Sequence, residues 1–229
     1  MSANGELVRT KAIVLRRTNY GEADRIIQLL TPQGRYGAMV KGARREKSKL
    51  AGGIELFTVS DIVLRKGRGD LFTLTSASLV YFYREILADY DRLQFGYDAI
   101  SLVSKASDAI DEPEWFDVLF EVLKALNLAS IPLDLIKVWF YVHYAALLGV
   151  QLNVQRDSTG AKLYEGGRYM YDVSERSLRE TPDGSITSDH IKLLRLVNGS
   201  PLSALVKVGG LANILPDCLV LARQHAVIS

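Results

Sequence analysis

Cysteine is almost absent from this sequence. Cys218 is the only cysteine among the 229 residues, and it lies in an apolar pattern with helical spacing. A single thiol excludes an internal disulfide and any cysteine-based zinc site. We therefore expect Cys218 to be a buried structural residue, and we predict neither a metal ion nor a cofactor.

Catalytic motifs are scarce as well. The three histidines, His143, His190 and His225, lie in separate predicted helices without the spacing of metal ligands. Neither a Gly-x-x-x-x-Gly-Lys-Ser/Thr phosphate loop nor a Gly-x-Ser-x-Gly nucleophile motif occurs. We expect the histidines to be surface or partly buried helix residues, and we expect the protein to be a binding protein and not an enzyme.

Long apolar runs are also missing. No uncharged apolar run approaches the ~18 residues of a membrane-spanning helix. The first residues, Met-Ser-Ala-Asn-Gly-Glu, lack the basic and apolar regions of a signal peptide. We expect a cytoplasmic protein with no membrane partner.

Positive charge is concentrated at the beginning of the chain. Residues 1–68 hold 14 basic and 6 acidic side chains, a net charge of +8, whereas the other 161 residues hold 14 and 20, a net charge of −6. A basic domain attracts polyanions such as nucleic acid. We predict two domains, residues 1–79 and residues 80–229, and we expect the first to bind nucleic acid.

The basic part has the pattern of a small β-barrel. Five strand-like runs with glycine turns and no long helix between them favour a Greek-key barrel of the OB type, although an SH3-like barrel has a similar pattern. The runs cover residues 7–17, 25–31, 35–41, 54–66 and 71–79, with a turn at residues 67–70. Residues 1–6 are expected to form a tail.

One loop of this barrel is strongly cationic. Residues 41–49, Lys-Gly-Ala-Arg-Arg-Glu-Lys-Ser-Lys, contain five cations and one anion, and we call this segment the basic loop. A charge run is most often a solvated surface loop, but the positive charge around this one favours a nucleic-acid contact. The best candidates for that contact are Arg44, Arg45, Lys47 and Lys49.

Exposed aromatic rings are the second means by which OB barrels bind single strands, because bases stack on them. Tyr20 and Tyr36 border the basic surface, and Phe57 and Phe72 are further candidates. Aromatic side chains of small barrels mostly fill the interior, so each of the four also suits core or turn packing. We expect the cations to be the more important contacts.

From residue 80 onward the apolar spacing is helical. The pattern predicts an α-helical bundle with an insertion over residues 150–187, in which residues 162–164 pair with residues 169–171 as a small hairpin. The predicted helices cover residues 81–90, 93–106, 111–123, 133–148, 188–197 and 211–226. The predicted fold class is therefore α+β, with an OB-type barrel before a helical domain.

Two acids beside the basic surface leave another function open. Glu22 and Asp24 would hold a metal ion for phosphodiester cleavage in a metal-dependent nuclease. Two acids one residue apart are weak support, and we expect them to pair with arginines such as Arg17 and Arg25. An RNA-binding OB protein is the other alternative, because it would share the basic barrel.

A series of short motifs resembles one protein family. In order, they are Tyr20-Gly-Glu-Ala-Asp24, Thr31-x-x-Gly34, Val40-Lys-Gly-Ala-Arg-Arg-Glu-Lys-Ser48 and Leu56-Phe57. Together they resemble the N-terminal half of the bacterial recombination mediator RecO. Beyond Val80 the resemblance is looser and rests on Tyr81-x-Tyr83-Arg84-Glu85 and on the predicted helix that contains Trp115.

This resemblance implies a DNA repair and recombination protein. RecO proteins bind single- and double-stranded DNA, anneal complementary strands, displace the single-stranded DNA-binding protein SSB and, with RecR, help to load RecA. The implied partners are DNA, RecR, the C-terminal tail of SSB and, indirectly, RecA, and the implied location is the nucleoid. Carried onto this chain, the DNA contacts fall first on Arg44, Arg45, Lys47 and Lys49, and then on Lys11, Arg16, Arg17, Arg25, Arg35, Tyr36 and Lys41.

Many RecO proteins also carry a four-cysteine zinc module after the long central helix. This chain has no cysteine in the corresponding segments, residues 152–160 and 165–169. The resemblance therefore implies that zinc is absent here, and we expect the backbone hydrogen bonds of a hairpin to replace it.

Overall fold

The chain divides into two compact units, Met1–Asn127 and Leu128–Ser229. The computed structural model describes residues 6–67 and 69–227. The predicted tail therefore lies outside the described residues except for Glu6, and so does the turn residue Arg68. The first unit contains a barrel and two helices. The predicted domain boundary after residue 79 stays a prediction.

Five strands form the barrel. They are β1 (Leu7–Tyr20), β2 (Asp24–Thr31), β3 (Gly34–Val40), β4 (Thr58–Lys66) and β5 (Phe72–Phe82). They close in the order β1-β2-β3-β5-β4, and β3 and β5 are the parallel neighbours. Because β5 lies between β3 and β4, this is the OB arrangement and not the SH3-like one. The predicted fold class is confirmed.

Aliphatic side chains fill the barrel interior, and they alternate with more exposed residues along the strands. Ile27 and Leu29 of β2 face inward with Ala38 and Val40 of β3, and all four are at most 1% exposed. Burial of each large aliphatic side chain stabilises the fold by about 1.5–3 kcal/mol. The inward set therefore fixes which side of each strand faces solvent.

A short 3₁₀ helix, Ala51–Ile54, precedes β4 and packs against β5. A Cβ atom on Gly53 would lie 2.8 Å from Ala77 Cβ and 2.9 Å from Ala77 O, so only glycine permits this approach. The buried residue Phe57 follows with a left-handed φ of 59°. The prediction that the strand begins at residue 54 is wrong, because these two features delay it to Thr58.

Helices α1 (Tyr90–Ala109) and α2 (Glu114–Leu126) complete the first unit. The guanidinium of Arg35 on β3 donates to Ser104 O (3.0 Å) and pairs with Asp108 (2.8 Å), both on α1. These contacts fasten α1 to the barrel. The predicted helix over residues 93–106 is confirmed as the central part of α1.

The predicted helix over residues 81–90 is wrong at its start. Strand β5 continues to Phe82, and the next backbone N–H, that of Tyr83, donates to Phe57 O (3.0 Å). A 3₁₀ helix, Arg84–Ala88, then leads to α1. The bond to Phe57 keeps the chain extended where the apolar spacing alone favoured a helix.

The second unit contains helices and a small two-stranded hairpin. Its elements are α3 (Leu133–Leu147), β6 (Tyr169–Asp172), β7 (Ser177–Glu180), α4 (Ser188–Gly199), α5 (Leu202–Leu205) and α6 (Leu215–Ala226). Cys218 on α6 is fully buried, and burial raises the pKa of its thiol to about 12, so the predicted structural role of this cysteine is confirmed. Within the described ranges, no helix combines the length and apolar character that crossing a bilayer requires.

The hairpin exists, but its predicted pairing is wrong. Strand β6 pairs with β7 and not with residues 162–164. Asp172 Oδ1 accepts hydrogen bonds from the backbone N–H (3.0 Å) and the hydroxyl (2.6 Å) of Ser174, and Arg176 has a left-handed φ of 50°. This carboxylate-centred turn closes the hairpin without glycine or proline, because the side chain of an aspartate can bond the backbone two residues on.

Candidate nucleic-acid interface

The basic loop follows β3 directly, and three hydrogen bonds fasten it to the β1–β2 turn. Asp24 Oδ1 accepts from Gly42 N (2.7 Å), and Ala23 O accepts from Arg44 N (2.9 Å). The guanidinium of Arg44 also donates to Gly21 O. Gly42 has a φ of 65°, a conformation that glycine adopts at little cost. The start of the loop therefore has a defined position on the barrel.

All five cations of the basic loop are exposed. Among the residues that the structure describes, none of these cations forms an ion pair, and neither does Glu46. The net charge of +4 over residues 41–49 is therefore presented to solvent without a compensating acid. Such a surface attracts polyanions and raises their local concentration.

Two further predicted cations share a single acid. Glu55 pairs with Arg17 and lies 3.8 Å from Arg25, Oε1 to Nη1. The two arginine side chains are only 25% and 23% exposed, and Glu55 is 44% exposed. Arg25 opposes the inward-facing Val40 in the β2–β3 register, so this cluster belongs to the inner side of the sheet, near the end of the barrel. The single carboxylate offsets about half of the positive charge of the two arginines.

The remaining predicted cations differ from one another. Lys11 pairs with Asp61 across β1 and β4 (2.9 Å), and Arg35 is engaged with α1. Arg16 is exposed and lies opposite Gln28, which is on the outer side of β2. Arg16 is therefore the cation of this second group best placed to extend the surface of the basic loop. A DNA contact by any of these residues stays a prediction.

The four aromatic candidates differ in their exposure to solvent. Tyr20 is 55% exposed, whereas Phe57 is 1% exposed and packs against Tyr97 of α1. Tyr36 opposes the inward-facing Leu29, packs on the barrel core and meets Phe72 edge to face with a centroid distance of 5.1 Å. Only Tyr20 of these four therefore presents most of its ring to solvent.

The acids Glu22 and Asp24 do not form the arrangement that a nuclease needs. One oxygen of Asp24 is used by Gly42 N, and Arg17 and Arg25 pair with Glu55, so the predicted pairs with Glu22 and Asp24 are not formed. In the described part of the chain, no group of three or more acidic, histidine or cysteine side chains has a spacing suited to a metal ion.

The histidines have structural partners. His143 stacks on Trp139 with a centroid distance of 3.9 Å, and burial lowers its pKa. His190 closes a capping box with Thr187 at the start of α4. His225 Nε2 lies 2.7 Å from Val150 O, and its Nδ1 lies 2.8 Å from the hydroxyl of Tyr171. Burial also lowers the pKa of His225.

A carboxylate organises the segment that the resemblance compares with a zinc module. Asp157 Oδ1 accepts from Thr159 N (2.9 Å), Thr159 Oγ1 (2.7 Å) and Ala161 N (3.0 Å). The backbone N–H groups of Asp157 and Leu163 donate to Ala161 O and Gln155 O, which forms a small hairpin with a pairing other than the predicted one. The residues of this segment do not fit a zinc ion, because they offer no thiolate or histidine and the carboxylate is already occupied.

Two family models cover nearly the whole chain. "Recombination protein O N terminal" matches residues 1–83, and "Recombination protein O C terminal" matches residues 87–217. The chain belongs to the RecO family. Its role therefore lies in DNA repair and recombination.

Individual RecO proteins agree with this assignment. The "DNA repair protein RecO" of a Roseiflexus species is 37% identical over 204 residues, which are 85% of this chain and 71% of the relative. That of Chlorobium limicola is 28% identical over 88% of this chain and 84% of its own length. That of Salinibacter ruber is 31% identical over 74% and 70%, respectively.

Proposed function

We propose that the barrel binds single- and double-stranded DNA through the basic loop. The observation that carries this proposal is the exposure of five cations on one anchored loop, without an acid partner among the described residues. Each phosphate contact releases condensed counterions, which makes the logarithm of the affinity fall by about 0.9 per contact on duplex DNA for each tenfold rise in salt. Contacts to phosphates carry no sequence information, so binding is nearly independent of sequence.

The other activities proposed for this protein follow from the same surface. Cations that neutralise phosphates reduce the repulsion between two strands held close together, which promotes annealing of complementary strands. We further propose that the protein displaces SSB by contacting its C-terminal tail, and that with RecR it assists RecA loading at the nucleoid in the cytoplasm. Family membership supports these partners, and no catalytic step is involved.

Charge reversal in the basic loop tests the proposal. Arg45→Glu combined with Lys47→Glu leaves the hydrogen bonds of Arg44 intact and removes two phosphate contacts. The affinity for DNA at low salt should fall at least about tenfold, and the salt slope on duplex should become shallower by about 1.8. The measurement is fluorescence anisotropy over a series of salt concentrations.

A matched control changes net charge equally without touching the loop. Lys105→Glu combined with Lys207→Glu alters two other exposed lysines. This control should bind DNA nearly as the wild type does, and an equal loss in both double variants would show that overall charge and not the basic loop drives binding. Better competition by RNA than by DNA of equal length would instead favour an RNA-binding protein.

The proposed mediator activity has a separate test. In an annealing assay with complementary oligonucleotides coated with SSB, the wild type should accelerate annealing, and Arg45→Glu combined with Lys47→Glu should lose this acceleration. Annealing of bare strands but not of coated strands would contradict the proposed displacement of SSB while leaving DNA binding intact.

A further inference from the structure

Tyr20 lies on the side of the sheet from which the basic loop is held. It is the last residue of β1, and the strand register pairs it with Asp24, the first residue of β2. Directly opposed residues of antiparallel strands project from the same face. The carboxylate of Asp24 accepts the N–H of Gly42 in the basic loop. The side chain of Tyr20 therefore projects beside the start of that loop.

The ring of Tyr20 is more than half exposed and has no specific partner among the described residues. It is 55% exposed, and among the described residues its side chain has neither a hydrogen bond nor a ring contact. Tyr36, by contrast, packs on the core and on Phe72. A large aromatic ring left in water next to exposed cations has the two components of a single-strand site, namely a stacking platform and a partner for phosphates.

We infer that Tyr20 stacks on an unpaired base of a single strand whose phosphates lie along the basic loop. This inference rests on the proposed DNA binding and adds the preferred substrate class, a strand with unstacked bases. The faces of bases inside a duplex are already stacked on one another, so the ring has no partner there. Phosphate contacts are available on both forms of DNA, and Tyr20 thus adds affinity for single strands only.

The test compares three ligands of equal length: a single-stranded oligodeoxynucleotide, the matching duplex and an abasic strand that has the phosphates without the bases. Tyr20→Ala should weaken binding to the ordinary single strand by about 5- to 150-fold, the loss typical of one stacked base. Binding to the duplex and to the abasic strand should change less than twofold. Tyr20→Phe should retain the single-strand affinity, because it keeps the ring.

Two controls exclude a general effect of losing an exposed tyrosine and an effect of unfolding. Tyr90→Ala removes a tyrosine that is even more exposed (77%) and lies between the acids Asp89 and Asp91, and it should leave all three affinities unchanged. The unfolding midpoint of Tyr20→Ala should lie close to that of the wild type, since the side chain forms no hydrogen bond or ring contact with the described residues.

The outcomes separate the two hypotheses. If Tyr20→Ala weakens binding to all three ligands equally, or to none, the stacking role is wrong. If Arg45→Glu with Lys47→Glu also leaves binding unchanged, DNA binding by the basic loop is wrong as well. A Tyr20→Trp variant gives a second readout: the fluorescence of the introduced indole should be quenched by the single strand but not by the abasic strand, and equal quenching by both would overturn the inference.

Discussion

The carboxylate of Asp24 accepts a hydrogen bond from the backbone N–H of Gly42 at 2.7 Å, which joins the first β-turn of the barrel to the basic loop. Arg44 strengthens the same junction through its own backbone N–H to Ala23 O. Two of the motifs that resemble RecO, Tyr20-Gly-Glu-Ala-Asp24 and the basic loop, therefore meet in space. The acid of the first motif positions the cations of the second, although its negative charge alone would oppose DNA.

Replacement of Asp24 distinguishes positioning from charge. If charge alone mattered, Asp24→Ala would tighten DNA binding, because it removes an anion. We expect the opposite: the loop loses a charge-assisted hydrogen bond worth about 1.5–3 kcal/mol, and the affinity for DNA falls several-fold. Glu22→Ala is the matched control, since Glu22 is an exposed acid of the same turn. It should bind DNA as well as the wild type or better, and a similar gain in Asp24→Ala would contradict the positioning role.

Glu55 limits the positive charge that the barrel offers to DNA. Its carboxylate pairs with Arg17 and lies near Arg25, so both arginines are occupied in the free protein. Glu55→Gln should release them for phosphates and increase the affinity at low salt. The slope of log affinity against log salt on duplex DNA should steepen by about 0.9 for each arginine that gains a phosphate contact. Anisotropy titrations at several salt concentrations measure both quantities.

Glu55→Gln should also be less stable than the wild type. Arg17 and Arg25 are about three-quarters shielded from solvent, and removal of their acid leaves two partly buried cations without a negative partner. Asp61→Asn is the control, because the pair between Asp61 and Lys11 is exposed and worth about 0–1 kcal/mol. Equal changes in affinity and unfolding midpoint in the two variants would refute a special role for Glu55.

The strands and the basic loop could be predicted because their signals are local. Alternating apolar residues and glycine turns indicate the barrel, and five cations in nine residues mark the loop. The pairing of Glu55 with Arg17 could not be predicted, since 38 residues separate them and only closure of the barrel brings them together. Sequence reasoning therefore placed Arg17 among the candidate DNA contacts and offered Glu22 and Asp24 as its partners.

Two errors in secondary structure have physical causes of the same kind. The bond from Tyr83 N–H to Phe57 O keeps β5 extended, and it joins residues that lie far apart in the sequence. The turn between β6 and β7 depends on the side chain of Asp172, which the sequence marks as a turn residue, and on a left-handed Arg176, which it does not. In both cases a specific hydrogen bond decides the local conformation.

Acidification should destabilise the protein through two histidines. Burial lowers the folded-state pKa of His143 and of His225 below the ordinary value of 6.5. As the pH falls below 6.5, the unfolded chain takes up protons before the folded protein does, so the free energy of unfolding decreases until the pH has passed through the lower folded pKa values. The contribution of the two neutral histidines to the free energy of unfolding is fully present above pH 6.5.

Urea unfolding across this pH range measures the effect. The urea midpoint of the wild type should fall as the pH is lowered through 6.5. A double variant, His143→Gln with His225→Gln, should be less stable at neutral pH but should show a flatter pH dependence in this window. An undiminished pH dependence in the variant would assign the effect to other groups.

The hydrogen bonds of Asp157 should stabilise the segment that the resemblance compares with a zinc module. The hydroxyl of Thr159 and three backbone N–H groups lower the pKa of Asp157, so its stabilising contribution is present above the ordinary value of 3.8 and is lost as the pH falls through the folded pKa. Asp157→Ala should lower the unfolding midpoint by a few degrees, and Asp157→Asn, which keeps an acceptor oxygen, should lower it less. We predict that zinc is absent from this segment, so a metal chelator should leave the midpoint of the wild type unchanged. Destabilisation of the wild type by the chelator, or an unfolding midpoint of Asp157→Ala equal to that of the wild type, would show that the carboxylate does not have this role.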